Sequence, residues 1–242
     1  MPLRFHVDPP LHEGTDLSLP PGAARHAQVL RLQPGMAITL FDGGGGEWDA
    51  SILRMGRNEV TVRVGAHLAV DRELALHVTL AVGMPANERM DTLVEKATEL
   101  GVATLQALHC ERSVLRLSGE RAAKKIAHWR GVAQAACEQS GRTRVPQIAP
   151  VLTLQEWLAT LPAEPIATCV LLSPRATRPL PHVAATPVIC LSGPEGGLTD
   201  AEERAAIERG FVAAGLGARV LRADTAPLAV LAYLALRSVG GG

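Results

Sequence analysis

The 242-residue chain has no excess of either charge. Lysine and arginine together number 24, and so do aspartate and glutamate, so the formal net charge is zero. Net charge alone therefore does not indicate a nucleic-acid or membrane partner, and any such surface depends on how the charges are distributed. Hydrophobic residues make up 47% of the chain, which is enough for one large domain or two modest ones and argues against disorder.

The chain also lacks long apolar runs and paired cysteines. Its longest apolar stretch, residues 226–236, is far shorter than the roughly 20 residues that a membrane span needs. Residues 1–10 show no basic segment followed by an apolar one, so we expect a cytoplasmic protein with no membrane contact. No C-x-x-C pair, histidine ligand spacing or G-x-S-x-G motif occurs, which argues against a metal site, a disulfide framework and a serine hydrolase. The cysteines are expected to be buried structural residues: Cys110, Cys137, Cys169 and Cys190.

The first 70 residues contain short β-type segments separated by glycine and proline. The segments read "RFHV", "AITLFD", "WDASILR" and "EVTVRVG". This pattern predicts a small β-barrel domain over residues 1–70. The glycine tract at 43–46 precedes a β-type segment rather than a helix, so we interpret it as a hairpin tip and not as a phosphate-binding loop.

From residue 73 to 242, apolar strand patterns alternate with helical patterns. Strands are predicted at 75–84, 103–110, 166–173 and 186–193, and the two longer helices at 88–100 and 118–140. Thr153 and Glu156 form the T-x-x-E pattern of a capping box, which predicts a short helix after them. Near-continuous apolar strands separated by helices indicate an α/β domain with a parallel sheet covered on both faces.

The stretch "LSGPEGGLTDAEE", residues 191–203, is the most informative local pattern. It follows a predicted strand and precedes a helix whose start is marked by Thr199 and Glu202. Ligands of open α/β sheets bind at this end of the strands, although an ordinary tight turn would also fit the pattern. The spacing is not G-x-G-x-x-G, and Glu195 would repel a pyrophosphate, so a neutral or cationic ligand is favoured over a dinucleotide.

A second unusual stretch covers residues 213–236. It contains a Gly-x-Gly turn, then Arg222 and Asp224, then an apolar helix with Thr225 as its predicted N-cap. The two charged residues fit an active site, and they equally fit a solvated loop or a local ion pair. The final helix is nearly all apolar, which predicts burial on most sides and favours a dimer interface on its outer face.

Five motifs occur in the order seen in one known family. They are "EKATELGV" (95–102), "ERSV" (111–114), "CEQSGRTRVPQI" (137–148), "LSGPEGGLT" (191–199) and "LGARVLRADTA" (216–226). The chain therefore resembles the RsmE family, the small-subunit (16S) ribosomal RNA uridine N3-methyltransferases of the SPOUT superfamily, and the resemblance extends to "RFHV" and "HAQVLRLQPG" near the start. It implies a PUA-like barrel followed by an α/β domain with a C-terminal trefoil knot, and a homodimer.

The resemblance implies S-adenosyl-L-methionine as the cofactor, bound bent in the knot by three loops. From the chemistry of uridine N3 methylation, we hypothesise that Arg222 stabilises negative charge on the target base and that Asp224 orients this arginine or accepts the proton. Asp224 stands where many relatives have glutamate, which shortens its reach by one methylene, and "PANERMD" (85–91) is less basic than the family pattern. The cofactor-binding residues implied are Leu172, Ser173, Leu191, Gly193, Glu195, Gly196, Gly197, Leu216, Gly217, Leu221 and Thr225.

The charge distribution indicates an RNA partner separately from the resemblance. Residues 103–150 hold eight basic groups against three glutamates, so overall neutrality conceals a basic region. The RNA partner implied is small-subunit ribosomal RNA or the assembled small subunit. In a homodimer, Arg4 or Arg112 of the second chain is expected to complete the RNA-binding side of the active site. Arg121, Lys124 and Lys125 equally fit a solvated helix face. The predicted RNA-binding residues are Arg4, Arg25, Arg112, Arg142 and Arg144.

Two other functions fit parts of the sequence. A SPOUT-type ribose 2′-O-methyltransferase would use the same cofactor turn on a different acceptor. A non-catalytic RNA-binding protein would need neither glycine turn, so the two turns together with Arg222 and Asp224 argue against it.

Overall fold

The computed structural model describes residues 3–8, 10–57, 59–162, 166–181, 183 and 187–238. The chain forms two compact units. The first consists of Met1–Glu73 with Gln134–Val145, and the second of Leu74–Ala133 with Pro146–Gly242. The segment 134–145, which contains Arg142 and Arg144, thus folds with the N-terminal residues.

The first unit contains a five-stranded sheet with the order β1-β3-β4-β5-β2. β1 runs parallel to β3, and the other pairs are antiparallel. The β-rich prediction is confirmed, and the glycine tract 43–46 forms the hairpin connection between β3 and β4. The strands are β1 (Arg4–His6), β2 (Asp16–Ser18), β3 (Ala37–Phe41), β4 (Glu47–Met55) and β5 (Val60–Leu68).

One helix of this unit, α1 (Pro21–Val29), was not predicted. Its first residue is a proline, which suits the first helical position because the missing N–H would have no partner there. The helix buries Ala23, Ala24 and Ala27 against the core. Because these core residues are small and Pro20-Pro21 resembles a turn, the sequence shows only a weak helical pattern.

Two arginines predicted to bind RNA are buried in the first unit. Arg4 pairs with the Glu47 carboxylate and also donates to the Arg142 carbonyl oxygen at 2.9 Å. Arg142 donates through Nε to Glu73 at 2.9 Å. Arg4 is only 8% exposed and Arg142 only 5%. A guanidinium that is buried and paired cannot approach an RNA phosphate, so we remove both from the RNA-binding set.

The network around Glu47 predicts an acid-sensitive fold for this unit. Burial of the Glu47 carboxylate acts to raise its pKa, but hydrogen bonds from Arg72 and Arg4 outweigh burial and bring the pKa below the ordinary 4.5. A carboxyl group with a lowered folded pKa stabilises the protein above its unfolded pKa, and this stabilisation is lost as the pH falls through the folded pKa. Glu47→Gln should therefore lower the free energy of unfolding by roughly 3 kcal/mol at neutral pH, and the deficit should shrink in acid.

Thermal denaturation at several pH values measures this loss of stability, and Glu138→Gln is the matched control. Burial raises the pKa of Glu138, although its Oε1 accepts a hydrogen bond from the backbone N–H of His6 at 2.9 Å. The charged form of Glu138 therefore costs stability at neutral pH, and glutamine can accept the same hydrogen bond. We expect the control to be at least as stable as the wild type at neutral pH. If the loss of stability in Glu47→Gln stayed the same down to low pH, the proposed dependence of stability on Glu47 ionisation would be contradicted.

The second unit contains a seven-stranded sheet with the order β12-β10-β11-β6-β7-β8, in which β9 also pairs with β7. All of these pairs are parallel, which confirms the predicted α/β class. The strands are β6 (Val78–Gly83), β7 (Thr104–His109), β8 (Gln147–Ile148), β9 (Leu152–Thr153), β10 (Thr168–Leu172), β11 (Val188–Ser192) and β12 (Val212–Ala214).

The remaining helices follow the predicted starts closely. Both predicted capping boxes are present, at Thr153 with Glu156 and at Thr199 with Glu202. Thr225, predicted as an N-cap, is instead the first residue of its helix. In the described part of the chain, no helix is long and apolar enough to cross a membrane. The helices are α2 (Asn87–Glu99), α3 (Gly119–Ser140), α4 (Leu154–Thr160), α5 (Asp200–Glu208) and α6 (Thr225–Ser238).

The strand order of the second unit determines where a ligand can bind. From β6 the chain continues to β7 and β8 on one side, whereas β11, β10 and β12 lie on the other. The order therefore reverses between β6 and β11, and such a reversal opens a crevice at the carboxyl ends of the strands. Gly83, Leu172 and Ser192 are the last residues of β6, β10 and β11, so these residues lie at the crevice.

Candidate active site

A cleft of about 920 Å³ opens at the carboxyl ends of β10 and β11. Its walls come from the start of α2, the loop after β7, the end of β10, the turn after β11 and the loop before α6. A smaller pocket of about 80 Å³ adjoins it and shares five lining residues with it: Leu172, Pro174, Val220, Leu221 and Ala226.

The cleft and the adjoining pocket bring together most of the cofactor residues that the resemblance implied. Leu191 is an exception, because it is fully buried in the core of the sheet. Thr225 is exposed at the start of α6 and does not line either cavity. The predicted residues that line the two cavities are Leu172, Ser173, Gly193, Glu195, Gly196, Gly197, Leu216, Gly217 and Leu221.

The turn after β11 is too tight for a side chain at Gly193. A Cβ atom at Gly193 would lie 2.8 Å from the backbone nitrogen of Leu198 and 2.9 Å from the carbonyl carbon of Gly197. Gly197 has a φ of +68°, a conformation that glycine adopts without strain. The turn also packs closely on β6, because a Cβ atom at Gly83 would lie 2.5 Å from Pro194. The shape of this turn is therefore fixed by close packing, and neither Gly193 nor Gly83 leaves space for a larger residue.

Two side chains hold the turn in place. Glu195 accepts a hydrogen bond from the backbone N–H of Ala86 at 3.0 Å. Arg112 donates to the carbonyl oxygen of Gly196 at 3.0 Å. Arg112 was predicted to bind RNA, and the structure places it on the cleft wall with its guanidinium against the glycine turn.

Leucine side chains form the walls of the smaller pocket. Leu172 comes from the end of β10, and Leu216 and Leu221 come from the loop before α6. The backbone of Gly217, with a φ of +96°, turns the chain between the two leucines of that loop. A narrow apolar slot with backbone polar groups at its edge suits a planar heterocycle.

Arg222 and Asp224 are close in sequence, but they have different surroundings. Arg222 is exposed, lines the cleft and, among the described residues, forms no ion pair. Asp224 pairs with Arg89 of α2, with 3.5 Å between the Arg89 Nη1 and Asp224 Oδ1 atoms. The expectation that Asp224 orients Arg222 is therefore not what the structure shows. Arg89 was missed, although its place in the first turn after β6 and its positive charge were visible in the sequence.

A second group of charges lies where β10 faces α5, and its arginine, Arg175, was not predicted. Arg175 pairs with Asp200 at 2.5 Å and with Glu203 at 3.1 Å, and Glu203 is also 3.1 Å from the Ser173 hydroxyl. The hydrogen bond from Arg175 holds the pKa of Asp200 below its usual range. Arg175 and Glu203 both line the cleft, so this wall presents a paired cation and carboxylate.

The cysteines are structural, as predicted. All four are buried and free. Burial raises the pKa of the Cys110, Cys137 and Cys190 thiols to about 12, so these groups stay protonated at neutral pH and are poor nucleophiles. Among the residues that the structure describes, no cluster of three or more potential metal ligands occurs.

Comparison with known families agrees with this fold. A family model described as an RNA methyltransferase domain matches residues 72–235, and one described as an RNA methyltransferase PUA domain matches residues 19–65. The fold is thus that of an RNA methyltransferase. More specifically, the chain belongs to the ribosomal RNA small subunit methyltransferase E family.

Curated relatives and solved structures both cover most of the chain. Ribosomal RNA small subunit methyltransferase E of Synechocystis sp. is 33% identical, and the match spans 86% of this chain and 68% of that protein. The Neisseria gonorrhoeae enzyme of the same name, solved bound to S-adenosyl methionine, has a TM-score of 0.90 at 35% identity and 98% coverage of both chains. A Legionella pneumophila methyltransferase in complex with the same cofactor also has a TM-score of 0.90, at 32% identity and 98% coverage of both chains.

Proposed function

We propose that this protein transfers a methyl group from S-adenosyl-L-methionine to N3 of a uridine in small-subunit (16S) ribosomal RNA. The observation that carries the proposal is the cleft at the carboxyl ends of β10 and β11, where a glycine turn, a leucine-walled slot and an exposed arginine meet. Relatives with this fold have been solved with that cofactor bound.

The residues present fit the cofactor. The slot between Leu172, Leu216 and Leu221 matches an adenine ring, and the glycine turn at 193–197 forms part of the wall of the adjoining cleft. The Ser192 hydroxyl is buried at the cleft wall and has no hydrogen-bond partner in the described part of the chain. S-adenosyl-L-methionine, when bound, supplies an electrophilic methyl group on a sulfonium cation, and the acidic groups Glu195 and Glu203 suit its positive charge.

Arg222 is the residue proposed to assist the transfer. The N3 proton of uridine leaves as the methyl group arrives, and negative charge then develops on the two carbonyl oxygens that flank N3. An exposed, unpaired guanidinium at the cleft can stabilise that charge. Asp224 is the proposed proton acceptor, because its Oδ1 atom is buried and accepts no hydrogen bond among the described residues.

The RNA-binding set is reduced to three arginines. Arg25 and Arg144 are exposed in the first unit, and Arg112 is exposed at the cleft of the second. Exposed guanidinium groups can form bidentate hydrogen bonds to RNA phosphates without first breaking a buried ion pair. On α3, Lys124 pairs with Glu120 at 2.7 Å, which fits the solvated helix face that was the alternative for this segment.

We also propose a homodimer that uses the outer face of α6. Leu236 is 77% exposed and Tyr233 is 39% exposed on this helix, and Val220 in the preceding loop is 84% exposed. Large apolar side chains grouped at the surface are typical of a face that another chain covers. Analytical ultracentrifugation should give the mass of two chains, and Leu236→Asp should shift the mass to one chain. A monomeric wild type at micromolar concentration would contradict the dimer.

The decisive experiment for the function uses labelled cofactor. Unmodified small ribosomal subunits and their free RNA are each incubated with the protein and isotopically labelled S-adenosyl-L-methionine, and the nucleosides are analysed by mass spectrometry. Labelled 3-methyluridine is expected, and the better of the two substrates shows whether assembly matters. Labelled 2′-O-methyl nucleoside would instead establish the ribose methyltransferase alternative. No label in either sample, with cofactor binding demonstrated, would overturn the proposed substrate.

A further inference from the structure

The first turn of α2 contacts both loops that form the cleft. At its start, the backbone N–H of Ala86 donates to Glu195 Oε1 at 3.0 Å, in the turn after β11. One helical turn later in the sequence, the Arg89 guanidinium lies 3.5 Å from Asp224 Oδ1, in the loop before α6. This one turn of helix therefore joins the two loops, which are far apart in sequence from α2.

The contact with Glu195 adds a carboxylate acceptor at the start of α2. Ala86 is the N-cap residue, and it has no side chain that could accept a hydrogen bond from the first backbone N–H groups. The Glu195 carboxylate accepts from the N-cap N–H, as the glutamate of a capping box does, but it comes from 109 residues away. A carboxylate at this position also interacts favourably with the helix dipole. The turn after β11, which carries Glu195, thus positions the start of α2.

The contact with Asp224 is the second link. Asp224 Oδ1 is buried and accepts no hydrogen bond in the part of the chain that the structure describes. A buried carboxylate oxygen without a donor is costly, and Arg89 supplies the cation that faces it within 4 Å. Arginine carries five N–H donors in a planar fork, so Arg89 can serve Asp224 and still present donors to the cleft, which it lines.

We infer that Arg89 is a positioning residue for methyl transfer. Arg89 holds Asp224 and the loop before α6 in place through the ion pair. Because Glu195 of the glycine turn binds the start of α2, the helix fixes the spacing between that loop and the turn. This inference rests on the proposed function, and it adds a residue that neither the sequence motifs nor the cofactor loops include. Arg89 acts through Asp224, so its removal changes the geometry of the site and leaves the RNA-contacting arginines in place.

The test compares four proteins: the wild type, Arg89→Met, Asp224→Asn and the double variant. Arg89→Met should lower kcat on small ribosomal subunits by about 100-fold, since small displacements of a catalytic group cost that much, with little change in KM. If Arg89 acts through Asp224, the kcat of the double variant should be no lower than the kcat of the less active single variant. Arg89→Lys keeps the charge and should recover part of the lost kcat.

Lys96→Met is the matched control on the same helix. Lys96 pairs with Glu95 and Glu99 and does not line the cleft, so its loss removes ion pairs from α2 without touching the site. Its kcat should equal that of the wild type. Thermal denaturation of every variant shows whether a lost activity is merely a lost fold.

Cofactor affinity, measured by calorimetry, separates this inference from the proposed function. Arg89→Met and Asp224→Asn should both weaken S-adenosyl-L-methionine binding, again without additivity, because the loop before α6 also forms the adenine slot. If the wild type transfers no methyl group, the proposed function fails, and the binding data still test Arg89. Equal cofactor affinity in all four proteins would overturn the inference, and so would fully multiplicative losses of kcat in the double variant.

Discussion

Arg222→Ala is expected to lower kcat by about 10²- to 10³-fold and to leave the affinity for S-adenosyl-L-methionine nearly unchanged. The reason is that Arg222 is an exposed cation on the cleft that, among the described residues, has no carboxylate partner. Its charge is therefore available to the carbonyl oxygens of the target base, where negative charge develops only during transfer. Single-turnover kinetics with small ribosomal subunits, paired with calorimetry for the cofactor, give the two quantities.

Arg204→Ala is the matched control for this variant. Arg204 is also exposed, but it lies on α5 and lines neither the cleft nor the slot, so its removal tests the effect of lost positive charge alone. Its kcat should stay near that of the wild type. An Arg222 variant with an unchanged rate would remove Arg222 from the mechanism. A loss confined to cofactor affinity would move its role to cofactor binding.

Gly193→Ala is expected to weaken cofactor binding by about 100-fold, since forcing a methyl group into packed backbone costs about 1–3 kcal/mol and 1.4 kcal/mol is tenfold. The added Cβ atom would meet the Leu198 nitrogen and the Gly197 carbonyl carbon, both backbone atoms that cannot rotate away. Relief requires the turn to open, and the same turn forms the cleft wall that Glu195 and Arg112 hold in place. Calorimetry with S-adenosyl-L-methionine measures the loss.

Gly131→Ala, in the same unit, separates a steric effect from a general effect of replacing glycine. Gly131 lies within α3, and an added Cβ atom there would have no neighbour within 4 Å. Alanine in a helix interior is favoured over glycine by roughly 0.5–1 kcal/mol, so this control should melt at a higher temperature and bind cofactor normally. Wild-type affinity in Gly193→Ala would show that the turn does not touch the cofactor.

The structure confirms most of the predicted features that depend on neighbouring residues. The two T-x-x-E boxes start helices where predicted, and the apolar strands form a parallel sheet. The glycine turn at 193–197 lies at the cleft, as its place after a strand suggested. Helix α1 was missed because its core face consists of alanines, which give a weak hydrophobic pattern.

Long-range partners account for the failed RNA-binding predictions. Arg4 and Arg142 resembled free loop arginines, but Glu47 and Glu73, distant in sequence, pair with them and bury them. Asp224 was matched with its neighbour Arg222, and the structure pairs it with Arg89. The trefoil knot and the two-domain boundaries at 70 and 73 stay predictions from the resemblance and from composition.

The sequence by itself determined the local elements of this protein, the glycine turns and, through five ordered motifs, its family. Turn and cap chemistry depends on residues three or four positions apart, so it can be recognised in the printed chain. Only the tertiary structure decided which charges are buried, which are free and which residue holds Asp224. The physical reason is that the strand order brings β6, β10 and β11 together, and side chains such as Glu195 then meet partners 109 residues away. Those pairings follow from the packed sheet, and no local pattern encodes them.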